Sequence, residues 1–248
     1  MSMQPRRRNL GKRSVIGSAV GVIGSLVIAG PATAAVNGQT YKVQATPAKQ
    51  DKNVRGPVGA FSTSIDTAYT PPFTPAGTQV VLTYPKDFRF TPGNAPVCPT
   101  SLISTVPEAQ ADAACPGAKH GSGTATINNG LLTGKVAAYR GTPVNGQDVL
   151  LLHVDIFAGS TYTFTTTLAG LFNRAANTLT VAIPPTGTAI THFDLTLTKF
   201  RTGKKTFFIM ARCKKKKWLF SETTSFNDGS SITATSTQNC KQKKSKKK

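Results

Sequence analysis

From residue 121 onward the chain is cut into short segments rich in threonine, valine and leucine, each bounded by glycine, proline or asparagine. They span 123–127, 134–140, 149–157, 162–168, 178–183, 192–200, 206–213, 218–226 and 231–238. Segments of this length and composition, returning about every 8 to 15 residues, read as strands joined by tight turns, not as alternating β and α units. Upstream, Val80, Val81, Leu82 and Tyr84 mark a buried strand over 79–84, a further strand fits 59–65, and Tyr41 to Val43 is strand-like. The polar run 49–55 ends in a Gly56-Pro57 turn, and 88–99 reads as loop. A single stretch, 107–114, is rich in helix formers and led by Pro107, which suits a first helical turn. The expected fold is an all-β antiparallel sandwich carrying one short helix.

The first 34 residues stand apart. Arg6, Arg7, Arg8, Lys12 and Arg13 precede an apolar, glycine-broken stretch from Val15 to Ala29, followed by Pro31 and Ala32-Thr33-Ala34. Charged, apolar and small-residue regions in that order make an export signal, with cleavage expected after Ala34. The apolar stretch is shorter than the roughly 20 residues of a membrane-spanning helix, which argues against a retained anchor. Arg7-Arg8-Asn9-Leu10-Gly11-Lys12 resembles a twin-arginine signal except at Gly11, so the twin-arginine and general secretory routes both stay open. The expected domains are a signal peptide over 1–34, a β domain over 35–240 that could comprise two subdomains, and a disordered lysine-rich tail over 241–248. The expected product is secreted, extracellular or wall-associated, with no transmembrane anchor.

All four cysteines, Cys98, Cys115, Cys213 and Cys240, fall after the signal, and an even number in an exported chain points to disulfides. Three pairings are possible. Chain proximity favours Cys98 with Cys115 and Cys213 with Cys240. Zinc is the rival use, but no close Cys or His pair has ligand spacing. The turn signal Asn227-Asp228-Gly229 makes 218–226 and 231–238 hairpin partners. If 206–213 flanked the same hairpin in a meander, the cysteine-bearing strands would stand roughly 9.5 Å apart, beyond disulfide reach. Pairing Cys213 with Cys240 therefore requires that 206–213 cross to a facing sheet, or that the cysteines lie past the strand ends.

Cys98-Pro99 followed by Cys115-Pro116, the strand start Gly121-Ser122-Gly123-Thr124-Ala125, Gly134-Lys135-Val136, Leu151-Leu152-His153-Val154, and Cys213 followed by Trp218, Asp228-Gly229 and Cys240 form a recurring set. In these the chain resembles a group of exported actinobacterial β-rich proteins of unknown function with two local cysteine pairs. The resemblance implies export, strands and local disulfides, and it carries no activity.

The formal net charge of +20 is unevenly placed. Residues 35–198 hold ten Lys or Arg against eight Asp or Glu, whereas residues 199–248 hold fifteen against two. Lys214 to Lys217 fall in a turn immediately before Trp218, and Lys241, Lys243 and Lys244 open the tail. A Cys213–Cys240 bridge would unite them into one patch of Lys214, Lys215, Lys216, Lys217, Trp218, Lys241, Lys243 and Lys244, suited to an anionic polymer of the cell envelope. Nucleic acid would be a lesser, sequence-blind partner, since aromatic side chains for stacking are nearly missing.

Catalytic patterns are scarce. The chain after the signal has no Gly-x-Ser-x-Gly, no phosphate-binding loop and no dinucleotide glycine motif, and no cofactor is expected. Two of the three histidines repeat a local pattern, His153-Val154-Asp155 and His192-Phe193-Asp194. Residues two apart share a strand face, so paired strands could gather these four side chains into a metal or acid/base site. The plainer expectation is that they lie on solvent faces, with Phe193, Leu195 and Leu197 turned inward. The reading overall is a non-catalytic surface protein, with an enzyme on the His-Asp strands as the alternative.

Overall fold

The computed structural model describes residues 36–70, 75–91, 95–184, 189–202 and 205–243 of the 248-residue chain. The expected signal over 1–34 and the part of the expected 241–248 tail beyond residue 243 lie outside them, whereas 241–243, expected to be disordered, are described and open with a short strand, Lys241–Gln242. Seventeen strands follow in order: β1 Val36–Thr46, β2 Lys49–Gln50, β3 Gly56–Pro57, β4 Ala60–Tyr69, β5 Gly77–Thr83, β6 Phe88–Thr91, β7 Lys119–Ile127, β8 Leu132–Val144, β9 Gln147–Ala158, β10 Thr161–Asn173, β11 Thr178–Ala182, β12 Ile190–Thr198, β13 Phe200–Thr202, β14 Lys205–Ala211, β15 Lys217–Phe226, β16 Ser231–Asn239 and β17 Lys241–Gln242. The single α-helix among the described residues, α1, spans Glu108–Ala114, with Pro107 before its first turn.

Eleven strands form one sheet in the order β1-β4-β12-β7-β8-β9-β10-β11-β5-β15-β16. Every neighbouring pair is antiparallel. Two-residue alternation makes one face apolar on strand after strand: Tyr41, Val43 and Ala45 on β1, Phe61 and Ile65 on β4, Leu195 and Leu197 on β12, Leu150, Leu152, Val154 and Ile156 on β9, Trp218, Phe220 and Phe226 on β15. The sheet rolls around that face into a nearly closed barrel, so the two packed walls of the expected sandwich are halves of one sheet.

Closure follows from counting. An odd number of strands, each antiparallel to the next, leaves the first and last parallel, where ladder bonds are slanted and weaker. β1 and β16 meet through side chains instead: Ser236 Oγ accepts from the Val43 N–H at 3.0 Å, Gln238 Oε1 from the Ala45 N–H at 2.7 Å, and Gln238 Nε2 donates to the Ala45 carbonyl at 2.9 Å. Beyond them the two chains continue side by side as the parallel pair β2 and β17.

β14 leaves the main sheet to pair with β13, β3 and β6. Phe88 and Phe90 of β6 and Phe208 of β14 interleave with Phe61, Tyr84, Phe172, Trp218 and Phe220, mostly edge to face. Such rings bury roughly 150–250 Å² each, so this aromatic end carries much of the hydrophobic stabilisation. Three local expectations change here. Residues 88–91 are a strand and not loop, because Phe88 and Phe90 alternate into this core. Gly56-Pro57 is a two-residue strand on β14. Gly121 to Gly123 lie inside β7, where a side chain on Gly123 would come within 1.9 Å of the Asp194 carbonyl on β12.

Both disulfides are local, Cys98–Cys115 and Cys213–Cys240. The first ties the segment carrying α1 over the outer face of β8 and β9, where Ile103, Ala111, Tyr139 and Leu151 form a second core. The second is reached in both of the ways its geometry required: β14 belongs to another sheet, and both cysteines lie past strand ends. The meander in which 206–213 flanked 218–226 is thereby corrected.

Candidate functional site

Three features carry polar or charged groups that the fold has not consumed. The first is the lysine end of the barrel. Lys214, Lys215 and Lys216, between β14 and β15, and Lys217, the first residue of β15, are all exposed. The chain after Cys240 is stitched to them: the Cys240 N–H donates to the Lys216 carbonyl at 2.8 Å, and Gln242 Nε2 donates to the carbonyls of Cys213 and Lys214 at 3.0 and 3.2 Å. The Lys241 and Lys243 N–H groups bond to the carbonyls of Ala48 and Gln50, which brings exposed Lys49 and Lys52 to the same end. Ordered chain thus runs through Lys243, and Lys244 lies outside the described residues. Eight lysines, at 49, 52, 214, 215, 216, 217, 241 and 243, share this end, and none forms an ion pair among the described residues. Lys243 helps hold the nearby Asp51 carboxyl below its usual range, after the N–H groups of Val54 and Asn53 that it accepts.

Trp218 does not belong to this patch. Its ring is fully buried against Phe88 and its indole N–H donates to the Arg212 carbonyl at 2.8 Å. In β15 the inward parity set by Phe220 and Phe226 takes Trp218 with it, although the four preceding lysines are outside.

The second feature is the two His-Asp pairs. Each histidine does reach its own aspartate, His153 Nε2 to Asp155 Oδ1 at 3.3 Å and His192 Nε2 to Asp194 Oδ2 at 3.4 Å. The four are not gathered, because β7 and β8 stand between β12 and β9. No group of three or more His, Cys, Asp or Glu among the described residues is placed to hold a metal ion. His192 lies on the outer face as expected, with Leu195 and Leu197 buried opposite, and its bond to Asp66 at 2.6 Å raises its pKa. His153 departs from the expectation of a solvent face. The α1 segment buries it completely, and that desolvation lowers its pKa. Asp155 beside it accepts the first helical N–H, from Glu108, at 2.9 Å, so this pair anchors the α1 segment.

The third feature was not singled out in the sequence. Away from the aromatic end, the barrel interior opens into an apolar cavity lined by residues that include Ile65, Leu82, Leu152, Leu168, Val181 and Phe193. It is open at one end, and its enclosed volume is about 90 Å³. Polar side chains border it on the β1, β4 and β15 side. Gln39 Nε2 donates to Thr224 Oγ1 at 3.0 Å, and Thr224 donates onward to Glu222 Oε1. Gln39 Oε1, Tyr41 Oη, Thr63 Oγ1 and Glu222 Oε2 are buried with no hydrogen-bond partner in the described protein. Glu222 has no exposed surface, and burial pushes its pKa up to about 7. The sequence did hold a signal for it: Trp218, Phe220, Glu222, Thr224 and Phe226 are five residues of one parity, so a carboxylate sits in an otherwise core-facing row.

No protein-family model, curated protein or solved structure matches the chain. Function is therefore argued from these three features alone.

Proposed function

We propose that this chain is a non-catalytic protein, exported through its N-terminal signal, whose lysine-rich end attaches the barrel to anionic polymers of the cell envelope. The supporting observation is that the Cys213–Cys240 bridge and the β2/β17 pair bring two lysine runs, 24 or more residues apart in sequence, to one end of the barrel, where none has an ion-pair partner among the described residues. Unpaired like charges repel, and a polyanion relieves that repulsion. The two disulfides accord with an oxidising compartment, and among the described residues no helix is long and apolar enough to cross a membrane. With Trp218 buried, the base-stacking residue nearest the patch is withdrawn, so a nucleic acid would meet only lysines and be held without sequence preference.

The test is retention of the purified exported protein on isolated cell walls and on duplex DNA of matched charge density, between 0.05 and 1 M salt, where the screening length shrinks from above 10 Å to about 3 Å. Retention on walls at low salt and release at high salt is expected. Replacing Lys215, Lys217, Lys241 and Lys243 together by Gln should weaken it by about a thousandfold, taking roughly 1 kcal/mol per lysine near an anionic surface. Salt-independent retention, equal retention of the variant, or tighter binding to DNA than to walls would each refute the attachment.

A further inference from the structure

Protein interiors are normally filled to crystal-like density, and buried polar atoms normally find partners. The cavity half of this barrel departs from both rules at one place. Inward-facing Val80, Leu168, Ile190 and Phe193 remain partly open to solvent, although their counterparts at the aromatic end are fully buried. Thr63, 95% buried, lines the space with a hydroxyl that has no partner in the protein, and Gln39 presents a buried carboxamide oxygen beside it. Glu222 and Tyr41 hold two more unanswered oxygens next to these, Glu222 opposite the lining residue Leu82 and Tyr41 one inward position along β1 from Val43, which pairs with Thr63. Each such atom costs free energy while it stays unpaired.

We infer that this cavity is a binding site for one aliphatic molecule with an uncharged hydrogen-bonding head, its chain lying among Leu152, Leu168, Val181 and Phe193 and its head facing Thr63 and Gln39. The mixed lining, a dry wall with a few convergent polar groups on one side, is the usual form of a small-molecule site, and the enclosed volume of about 90 Å³ admits a small ligand or the head of a longer one. The charge of the head follows from what is absent around it. No lysine or arginine lines the cavity among the described residues, so a charged head would be desolvated without a counter-ion. A hydroxyl can take what is offered: acceptance by Gln39 Oε1, and donation or acceptance at Thr63 Oγ1. The enclosed part is small, so the head and the first few carbons sit inside while a longer chain reaches toward the mouth.

The experiment is calorimetric titration of the purified exported protein with 1-butanol, 1-hexanol, 1-octanol, octane and octanoate, all at pH 6, where octanoate is ionised and Glu222, next to the lining, keeps its proton. One-to-one binding of 1-octanol is expected, tightening along the alcohol series by about fourfold for each methylene that enters the cavity and by less beyond its mouth. Octane and octanoate should each bind at least tenfold more weakly than 1-octanol. A Thr63→Val variant, which keeps the shape and removes the hydroxyl, should narrow the gap between octanol and octane. No binding by any probe would show a void closed to ligands. Equal binding of octane and octanol in the wild-type protein, or an unchanged gap in Thr63→Val, would show a greasy void that does not read a head group. Any of these overturns the inference, and none depends on whether the lysine end binds polymers.

Discussion

Glu222 makes the folded protein's stability fall with rising pH, the reverse of an ordinary surface carboxylate. Its pKa is about 7 in the fold against 4.5 for the free side chain, because burial with only Thr224 as a donor disfavours the charge. In the interval between those values the folded state holds a proton that the unfolded state has released, so unfolding is favoured as pH rises. Below pH 4.5 both states are protonated and nothing is lost. By pH 5.5 the loss is about 1 kcal/mol, by pH 7 about 3 kcal/mol, and above pH 8 it is constant. Glu222→Gln keeps nearly the same shape and can still accept from Thr224, but it does not titrate. Urea unfolding of both proteins at pH 4, 5.5, 7 and 8.5 isolates the effect, since every other titrating group cancels in the difference. The variant should gain on the wild type by about 3 kcal/mol between pH 4 and 8.5, whatever constant offset the amide introduces. A difference that stays flat over that range, or runs the other way, would mean that Glu222 ionises freely in the fold and that the interior around it is wet.

Three further outcomes follow from the same geometry. Replacing Cys213 and Cys240 by serine releases a loop spanning 27 residues, which should cost about 3.5 kcal/mol in denaturant unfolding and also weaken wall retention at low salt, because the two lysine runs separate. Gly123→Ala sets a methyl group against the Asp194 carbonyl and should cost about 3 kcal/mol by forcing β7 off β12, whereas Gly130→Ala, with open space around it but a positive φ, should cost only about 1 kcal/mol. Proton NMR titration should place His192 above the ordinary histidine range, His153 below it and His120 at about 4, so His120 stays neutral at pH 6; stability attached to the neutral forms of His120 and His153 is present above the ordinary value of 6.5 and is lost as pH falls through the lowered ones.

Local structure was legible where one rule decided it. Alternation with flanking glycine, proline or asparagine placed β7 to β12 and β14 to β16, though not β13, within a few residues of their ends, and Pro107 with its alanine-rich followers placed α1. The Asn227-Asp228-Gly229 turn set the β15–β16 hairpin, with Gly229 at a positive φ as such a turn needs. What was not legible depended on elements distant in sequence. His153 has the same local pattern as His192, yet a disulfide-tethered segment roughly 40 residues upstream covers one and not the other. β14 looks like a partner for β15 until β3 and β6, more than 100 residues earlier, supply its pairing. Trp218 follows four exposed lysines, and only strand parity says that it turns inward.

The closing seam connects these observations. Because β1 and β16 run parallel, the barrel is shut by whichever side chains can reach across, and these are unevenly distributed. Toward the lysine end, Ser236 and Gln238 bond to the β1 backbone, β2 pairs with β17, and the Cys213–Cys240 bridge locks the chain beyond. Toward the cavity, Gln39 reaches past β16 to Thr224 on β15 and leaves its own oxygen unanswered. The wall is therefore strongest where the lysines must keep a fixed spacing and weakest beside the cavity. The aromatic packing of Phe61, Phe88, Trp218 and Phe220 falls on the strong side as well, and the unfilled space and the buried Glu222 carboxyl on the other. One half of the barrel thus supplies the stability that lets the other half remain incompletely packed.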